Sequence, residues 1–476
     1  MGGYATRRSL PAVARRTRIV ATLGPATADP DVLRRLVEAG VDVVRLNLAH
    51  GALDDHRRTA DLVREVADAA GRTVATLVDL PGPKARTGPF PRAGVALEEG
   101  QSVRLAGDGR SDAGTVAVGD ALRRELRPGD AVVLGDGAVT LVVEDGGTAR
   151  VVTGGRVQGR PGVATRPERL SDRAPTPSDL QLVDALRDAP LDYVAVSFVR
   201  SAADVAAVRA ALGAGGPGVV AKVEMPEAVA DLDAVLAASD AVMVARGDLG
   251  IRVPIEDVPF LQRRIVRACI DAGRPVITAT QMLESMVRAP TPTRAEVADV
   301  AAAVEDGTDA LMLSAETAIG HDPVAVVRTM ARVAERAEAE LDPDAGGHRA
   351  GVTGPGRVAD AIAAAAWRAA ADAAVAAVVC WTRSGTTART VARLRPSAPL
   401  VGLTPSEGTA RRLALTWGVV PVVVELAPNP EAVTEAAVAH VRRLGLARPG
   451  DVIAVVAAAS GRAGALPDLL RLVEVA

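Results

Sequence analysis

The chain has 476 residues and a mass of 48.7 kDa, enough for about three domains at ~150 residues each. Hydrophobic residues make up 49% and charged residues 24%, the profile of a globular protein rather than a disordered one. The 55 basic and 58 acidic side chains nearly cancel to −3, and aromatics are only 2%, which argues against a nucleic-acid footprint, base-stacking platforms and membrane belts.

Cys269 and Cys380 are the only cysteines, too few for a disulfide framework or a Cys-based metal site. Charges break every apolar run well before the ~18 residues of a membrane span. The N-terminus, MGGYATRRSLPAVARRTR, is basic but lacks the apolar core of a signal peptide. Its Met-Gly-x-x-x-Thr start matches a myristoylation pattern, and a solvated tail explains it as well. These features predict a cytoplasmic protein with neither a membrane nor a nucleic acid as partner.

In chain order, β-branched runs recur between amphipathic helical stretches, the alternation of a parallel α/β fold. Eight strands are predicted, at 19–22, 41–47, 73–80, 193–198, 219–224, 241–248, 276–281 and 310–316. Segments such as DPDVLRRLVEAG and SAADVAAVRAALGAG carry apolar residues at i, i+3 and i+4 between them. Without the gap after the third strand, roughly 240 residues remain, near the ~250 usual for a (β/α)8 TIM barrel. The barrel is assigned to residues 1–84 and 176–341. Residues 85–175 read instead as short strands with Gly and Asp turns and little helix, an inserted all-β domain placed to act as a lid. The Gly-, Pro- and Asp-rich stretch DPDAGGHRAGVTGPGR reads as a linker. It opens a C-terminal α/β domain, 342–476, in which AAVVCW, PLVGLT, VVPVVV and DVIAVVA are the predicted strands of a smaller open sheet.

Of the 55 basic residues only Lys84 and Lys222 are lysines. A GC-biased genome accounts for the arginine excess, but arginine does not replace lysine where a compact point charge is needed. Both survivors lie beside carboxylates at predicted strand ends.

The catalytic end of a (β/α)8 barrel is the C-terminal rim of its strands. The rim here carries Arg45, Asn47, Asp79, Lys222, Glu224, Asp248, Thr280, Ser314 and Glu316, where a packed barrel would otherwise favour Val, Ile and Leu. Glu224 and Asp248 are predicted to end successive strands and to share one hard cation. Mg²⁺ is typically held by one or two carboxylates plus substrate oxygens and water. Lys222 lies two residues before Glu224 and so on the same strand face. Carboxylates, a metal and a lysine suit enolate stabilisation or phosphoryl transfer, while a plain Lys–Glu ion pair bracing the rim is the structural alternative. Gly247-Asp248-Leu249-Gly250 follows a strand, where free backbone N–H groups bind anions. No GxxxxGK[ST] motif is present, which excludes a P-loop kinase. In the last domain Thr382-Arg383-Ser384-Gly385-Thr386-Thr387 joins a strand to a helix and offers hydroxyls, a glycine and a helix N-terminus to a phosphate, or simply caps the helix.

Taken together, TRIVATLGPAT, VDVVRLNLAHG, VARGDLG, VITATQMLESM, TPTRAEVADVA, DGTDALMLSAET and ARRLALTWGVVP resemble segments of the pyruvate kinase family, in that family's order, from about Thr17 to the C-terminus. The resemblance implies transfer of the phosphoryl group of phosphoenolpyruvate to ADP, giving pyruvate and ATP. It also implies that Glu224 and Asp248 hold Mg²⁺ or Mn²⁺ and that Lys222 stabilises the phosphoryl in flight and the emerging enolate. On the same basis the amides around Gly247 and the Thr280 hydroxyl hold the substrate carboxylate, and Arg45 contacts the phosphate. Asn47, His50 and Arg86 then lie toward the nucleotide, with Ser314 and Glu316 on the proton-relay side. The loop Thr382–Thr387 matches the place where many members bind a sugar-phosphate effector, and the family is commonly tetrameric.

Departures from the family pattern matter as much. Many members build a K⁺ site from Asn-x-Ser and Asp-Thr-Lys-Gly-Pro-Glu. Here the serine is Ala49 and the second motif reads Asp79-Leu80-Pro81-Gly82-Pro83-Lys84, so a hydroxyl is lost and a cation stands in place of a glutamate. The family has a K⁺-independent branch with this Leu and Lys combination. The expected monovalent site or its replacement is therefore Asn47, Asp79, Leu80 and Lys84, with the Lys84 ammonium as the fixed +1 charge beside Asp79 and no K⁺ requirement. A nucleotide-side lysine near the lid's return is absent from RAPTPSDLQLV, and SGRAGALPD lacks the family's usual Thr-Asn ending at the far effector loop. Two rivals remain open in the residues alone: a non-catalytic phosphometabolite sensor on the same scaffold, and another Mg²⁺-dependent barrel acting on pyruvate enolate.

Overall fold

A computed structural model describes residues 15–83, 85–135, 139–165, 173–341, 357–373, 375–427, 429–458 and 466–476. The basic tail before Arg15, Lys84, most of the predicted linker and most of the SGRAGALPD loop lie outside the described residues.

Eight parallel strands close into a barrel in sequence order: Arg18–Thr22, Val43–Asn47, Ala75–Asp79, Tyr193–Val196, Gly218–Val223, Ala241–Ala245, Val276–Ala279 and Ala310–Leu313. The last pairs with the first, Ile19 opposite Leu311 and Val20 opposite Met312. All eight predicted strands are present. Their burial on both faces explains why they read as continuous apolar runs rather than alternating ones. Helix Pro30–Ala39 shows how the crossovers are punctuated: the Asp29 carboxylate accepts from the Asp31 amide, Pro30 starts the helix, and Gly40 stops it at φ 113°, a value open to glycine at little cost.

At the floor of the barrel one device repeats four times. Asp42, Asp192, Asp240 and Asp309 each stand immediately before an even-numbered strand. Their carboxylates accept N–H bonds from the preceding odd strand, at Ile19 (2.9 Å), Thr76 (2.9 Å), Val219 (2.8 Å) and Val276 (3.0 Å). Each aspartate is also paired with arginine: Asp42 with Arg15 and Arg18, Asp192 with Arg64 and Arg411, Asp240 with Arg209, Asp309 with Arg395. Pairing makes these buried carboxylates tolerable.

Between the third and fourth barrel strands lies a six-stranded sheet, ordered Val163–Ala164, Ala131–Leu134, Val139–Val143, Thr148–Thr153, Ser102–Ala106, Thr115–Ala117, beside a two-stranded ribbon of Phe90–Leu97 and Gly155–Gly159. Its own core includes Phe90, Leu97, Leu134 and Leu141. One short helix, Asp120–Glu125, stands within the segment TVAVGDALRREL.

The C-terminal sheet is ordered Val419–Val423, Leu400–Thr404, Ala377–Trp381, Val452–Ala457, Leu469–Glu474. Four strands match the predicted runs. The fifth, an antiparallel edge strand, was not anticipated, because LLRLVE is too mixed to stand out by periodicity. Two apolar clusters cover the sheet's faces. The segment after helix Glu407–Leu413 inserts Ala414 and Leu415 into the apolar interior of the barrel floor, beside Val20, Leu77, Tyr193 and Met243.

Candidate active site

The sixth strand ends at Ala245, and Asp248 sits in a single helical turn, Arg246–Leu249. This corrects the expectation that Glu224 and Asp248 both end strands: Glu224 directly follows Val223, whereas Asp248 lies three residues beyond its strand. Likewise the seventh strand ends at Ala279 and the eighth at Leu313, so Thr280, Ser314 and Glu316 stand on the loops just above.

The centre of the rim is Lys222. Its Nζ donates to the Ser197 hydroxyl at 2.7 Å and lies 3.2 Å from Asp79 Oδ1 and 2.9 Å from Glu224 Oε1. Asp79 and Glu224 are fully buried. Arg45 completes the cluster, with Nε 2.8 Å from Asp79 Oδ2 and Nη1 3.1 Å from the Thr22 hydroxyl. Burial pushes the Asp79 carboxyl up, but Lys222 and Arg45 outweigh it and hold it below the usual range. Burial likewise opposes the Lys222 charge, and the Asp79 and Glu224 carboxylates overcome it and raise its pKa. Glu224 goes the other way: burial raises its pKa, Lys222 opposes that, and nearby Asp248 adds to the rise.

Glu224 has one oxygen to spare. Oε2 accepts from the Phe198 amide at 2.7 Å. Oε1, although close to the Lys222 ammonium, is off its hydrogen-bonding direction and has no hydrogen-bond partner. A buried, unsatisfied carboxylate oxygen facing a second carboxylate fits a hard divalent cation. Among the described residues no group of three or more His, Cys, Asp or Glu side chains forms a metal cage. Two carboxylates with substrate and water oxygens are what Mg²⁺ ordinarily accepts.

Thr280 is held in the left-handed region, φ 71°, followed by Gln281 at 55°, an uncommon state for a β-branched residue. The turn is over-determined: the Gly247 amide donates to Thr280 Oγ1 at 2.8 Å, and that hydroxyl donates to the Ala279 carbonyl at 2.6 Å. Buried Arg246 binds the Ala279 and Thr280 carbonyls and is anchored to Asp299 at 2.7 Å. Strain kept this way is a mark of functional sites. In this state the Gly247 amide is already engaged by Thr280 rather than free.

Glu316 is buried, and both its oxygens are taken, by the amides of Ser314 (2.6 Å) and Leu283 (3.3 Å); it clamps two rim loops together. Asn47 Oδ1 accepts from Ala49 N at 3.2 Å, His50 is exposed, and Arg86 Nη1 reaches the Arg160 carbonyl at 3.3 Å at the root of the inserted domain. Leu80 is buried, and its carbonyl accepts from Ser197 at 2.7 Å. Lys84, the remaining member of the expected monovalent site, lies outside the described residues. The loop Thr382–Thr387 lies in the other domain. It is organised by Gly385 N to Thr382 Oγ1 (2.9 Å), by Ser384 against Thr386 (3.0 Å) and by Thr409 Oγ1 to the Arg383 carbonyl (2.9 Å). Thr387 is buried, which turns its side chain away from any ligand.

Sequence reasoning missed Ser197, Arg246 and Arg252. Ser197 is the polar residue just past YVAV, the same signal that identified Glu224, but SFV reads as apolar strand. Arg252 stacks 5.0 Å from the Phe198 ring and donates to the Asp248 carbonyl at 2.6 Å, so Asp248 and Phe198 are fixed together.

A (β/α)8 barrel whose strand ends gather a lysine, two arginine- or lysine-paired carboxylates and an unsatisfied metal-ready oxygen defines a phosphotransferase- or enolate-type enzyme. Comparison with known proteins is specific. The family model "Pyruvate kinase, barrel domain" matches residues 14–327, and "Pyruvate kinase, alpha/beta domain" matches 360–472. The chain is 39% identical over 482 residues to a pyruvate kinase of Methylorubrum extorquens, covering 97% of each chain. It is 42% identical over 457 residues to that of Corynebacterium glutamicum, with 93% and 94% covered. It is 38% identical over 461 residues to that of Geobacillus stearothermophilus, with 93% and 77% covered. The chain belongs to the pyruvate kinase family.

Proposed function

We propose that the chain transfers the phosphoryl group of phosphoenolpyruvate to ADP, on the strength of one observation above all: Lys222 is held between Ser197, Asp79 and Glu224, beside the spare oxygen of Glu224. Glu224 and Asp248 would hold Mg²⁺ or Mn²⁺, which when bound neutralises phosphoryl and enolate oxygens. Lys222 has three N–H donors and three acceptors around it. An incoming phosphoryl oxygen competes with the poorly aligned Glu224 contact, so one donor can turn to the substrate while Ser197 and Asp79 keep the ammonium in place. Arg45, restrained by Asp79, presents its remaining N–H groups to the phosphate. Gly247 and Thr280 would exchange their mutual hydrogen bond for the substrate carboxylate. Ser314 and Glu316 would shape the side on which the enolate is protonated, Glu316 by positioning the loops. Asn47, His50 and Arg86 would face the nucleotide.

The domain limits at 84/85, 175/176 and 341/342, a cytoplasmic location, a homotetramer and an effector phosphate at Thr382–Thr387 belong to the same reading. K⁺ is not required in it: the Lys84 ammonium supplies the fixed charge near Asp79. Pyruvate formation from phosphoenolpyruvate, ADP and Mg²⁺ is to be followed with K⁺ and with a bulky inert cation. Equal turnover is expected. Turnover only with K⁺ removes the role of Lys84, and none in either case, with phosphometabolites still binding, leaves the non-catalytic sensor.

A further inference from the structure

The seam between the barrel floor and the C-terminal domain holds a cleft of about 230 Å³ whose lining includes Arg274, Arg389, Arg393 and Arg395 but a single carboxylate, Asp309. Neutralisation there is incomplete. Arg393 is paired with Asp360 at 2.6 Å, and Arg395 reaches Asp309 at 3.3 Å. Asp309 already accepts from the Val276 and Trp417 amides. Among the described residues neither Arg274 nor Arg389 has a carboxylate partner, and the two repel one another. Arg389 donates only to the Ser384 carbonyl. Two buried polar atoms of the lining, Arg395 Nε and the Thr416 hydroxyl, have no hydrogen-bond partner, and Thr416 is 2% exposed.

Buried guanidiniums gathered without counter-charge, next to an unsatisfied hydroxyl, are costly unless an anion joins them. Planar forks of N–H donors match tetrahedral oxyanions in particular. We propose that this seam is a binding site for a phosphate-class anion, either free orthophosphate or the head group of a phosphate monoester. None of the residues Thr382–Thr387 lines it, so it is separate from the effector loop. Its ligand would touch both the barrel floor and the C-terminal domain, and occupancy would tighten the contact between them. Arg274 and Thr416 supply the donors that no internal partner uses.

The test uses the full chain. Crystals soaked in tungstate locate oxyanion sites, and calorimetry measures orthophosphate and ribose 5-phosphate binding to wild type, R274Q and T416V. Neither substitution unpairs Asp309 or touches the barrel rim. Expected are tungstate within hydrogen-bonding distance of Thr416 Oγ1, an affinity at the seam lowered about tenfold in R274Q, as for one lost charge-assisted hydrogen bond, and unchanged turnover without phosphate ligands. Equal binding of both probes assigns the site to free phosphate, and tighter monoester binding assigns it to a head group. Tungstate confined to the rim and the Thr382–Thr387 loop, or wild-type isotherms in both variants, would overturn the proposal.

Discussion

At Lys222 the chemistry depends on where an ammonium is held more than on its presence. Ser197 accepts from Nζ at 2.7 Å and passes its own proton to the Leu80 carbonyl, so the hydroxyl sets the ammonium's position without touching substrate. Replacing Ser197 by Ala removes that restraint while leaving Arg45 and the metal carboxylates in place. Steady-state kinetics should show kcat lowered about 10- to 100-fold, with KM for phosphoenolpyruvate changed far less, the pattern of an interaction that matters mainly in the transition state. S197T should recover part of the loss by restoring the acceptor. A rise in KM with kcat intact would instead make Ser197 a plain ground-state contact.

The Asp-to-strand clamps at the barrel floor carry stability at the level of elements. Burial raises the pKa of Asp42, but Arg15, Arg18, the Ile19 amide and Arg72 outweigh it and hold the carboxyl below its ordinary value. Because the folded pKa is depressed, the unfolded chain binds the extra proton first. The clamp's contribution is therefore complete above the unfolded pKa of about 3.9 and is lost as pH falls through the folded value. Asp42→Asn should cost about 3 kcal/mol near neutrality, since it leaves Arg15 and Arg18 buried without their counter-charge. Urea unfolding from pH 7 to pH 3 should show the gap between variant and wild type closing on the acid side. A gap independent of pH would assign the loss to shape rather than charge.

For the whole molecule, two clamps double as docking points. Arg411 binds Asp192 at 2.9 Å and Arg395 binds Asp309, aspartates that precede the fourth and eighth strands, on opposite sides of the barrel. Between them Leu415, fully buried, closes the floor, and Tyr193 donates to the Arg412 carbonyl at 2.8 Å. The helix bearing Arg411 also carries Thr409, which binds the Arg383 carbonyl in the proposed effector loop. Effector loop and barrel floor are thus joined by one short helix. Leu415→Ala should cost about 2–5 kcal/mol through the cavity it leaves. Hydrogen exchange should then quicken both at the barrel floor and in helix Glu407–Leu413. Faster exchange in the C-terminal domain alone would mean that docking does not rest on this side chain.

Much of this architecture is legible in the residues. Eight apolar runs with polar residues at their ends mark both a barrel and its catalytic rim, because strands buried on both faces tolerate polarity only where they emerge. The rarity of lysine pointed to Lys222, since arginine cannot stand in for a point charge. What the sequence could not show is proximity among distant segments. Ser197 is ordinary until folding sets it under Lys222. Thr280 shows its strain only as a backbone angle. The seam arginines lie among many others and become a cluster only when two domains meet. Local pattern is written in neighbouring residues and survives as periodicity, whereas unpaired charge is decided by which segments the tertiary fold brings together and by how much water it removes.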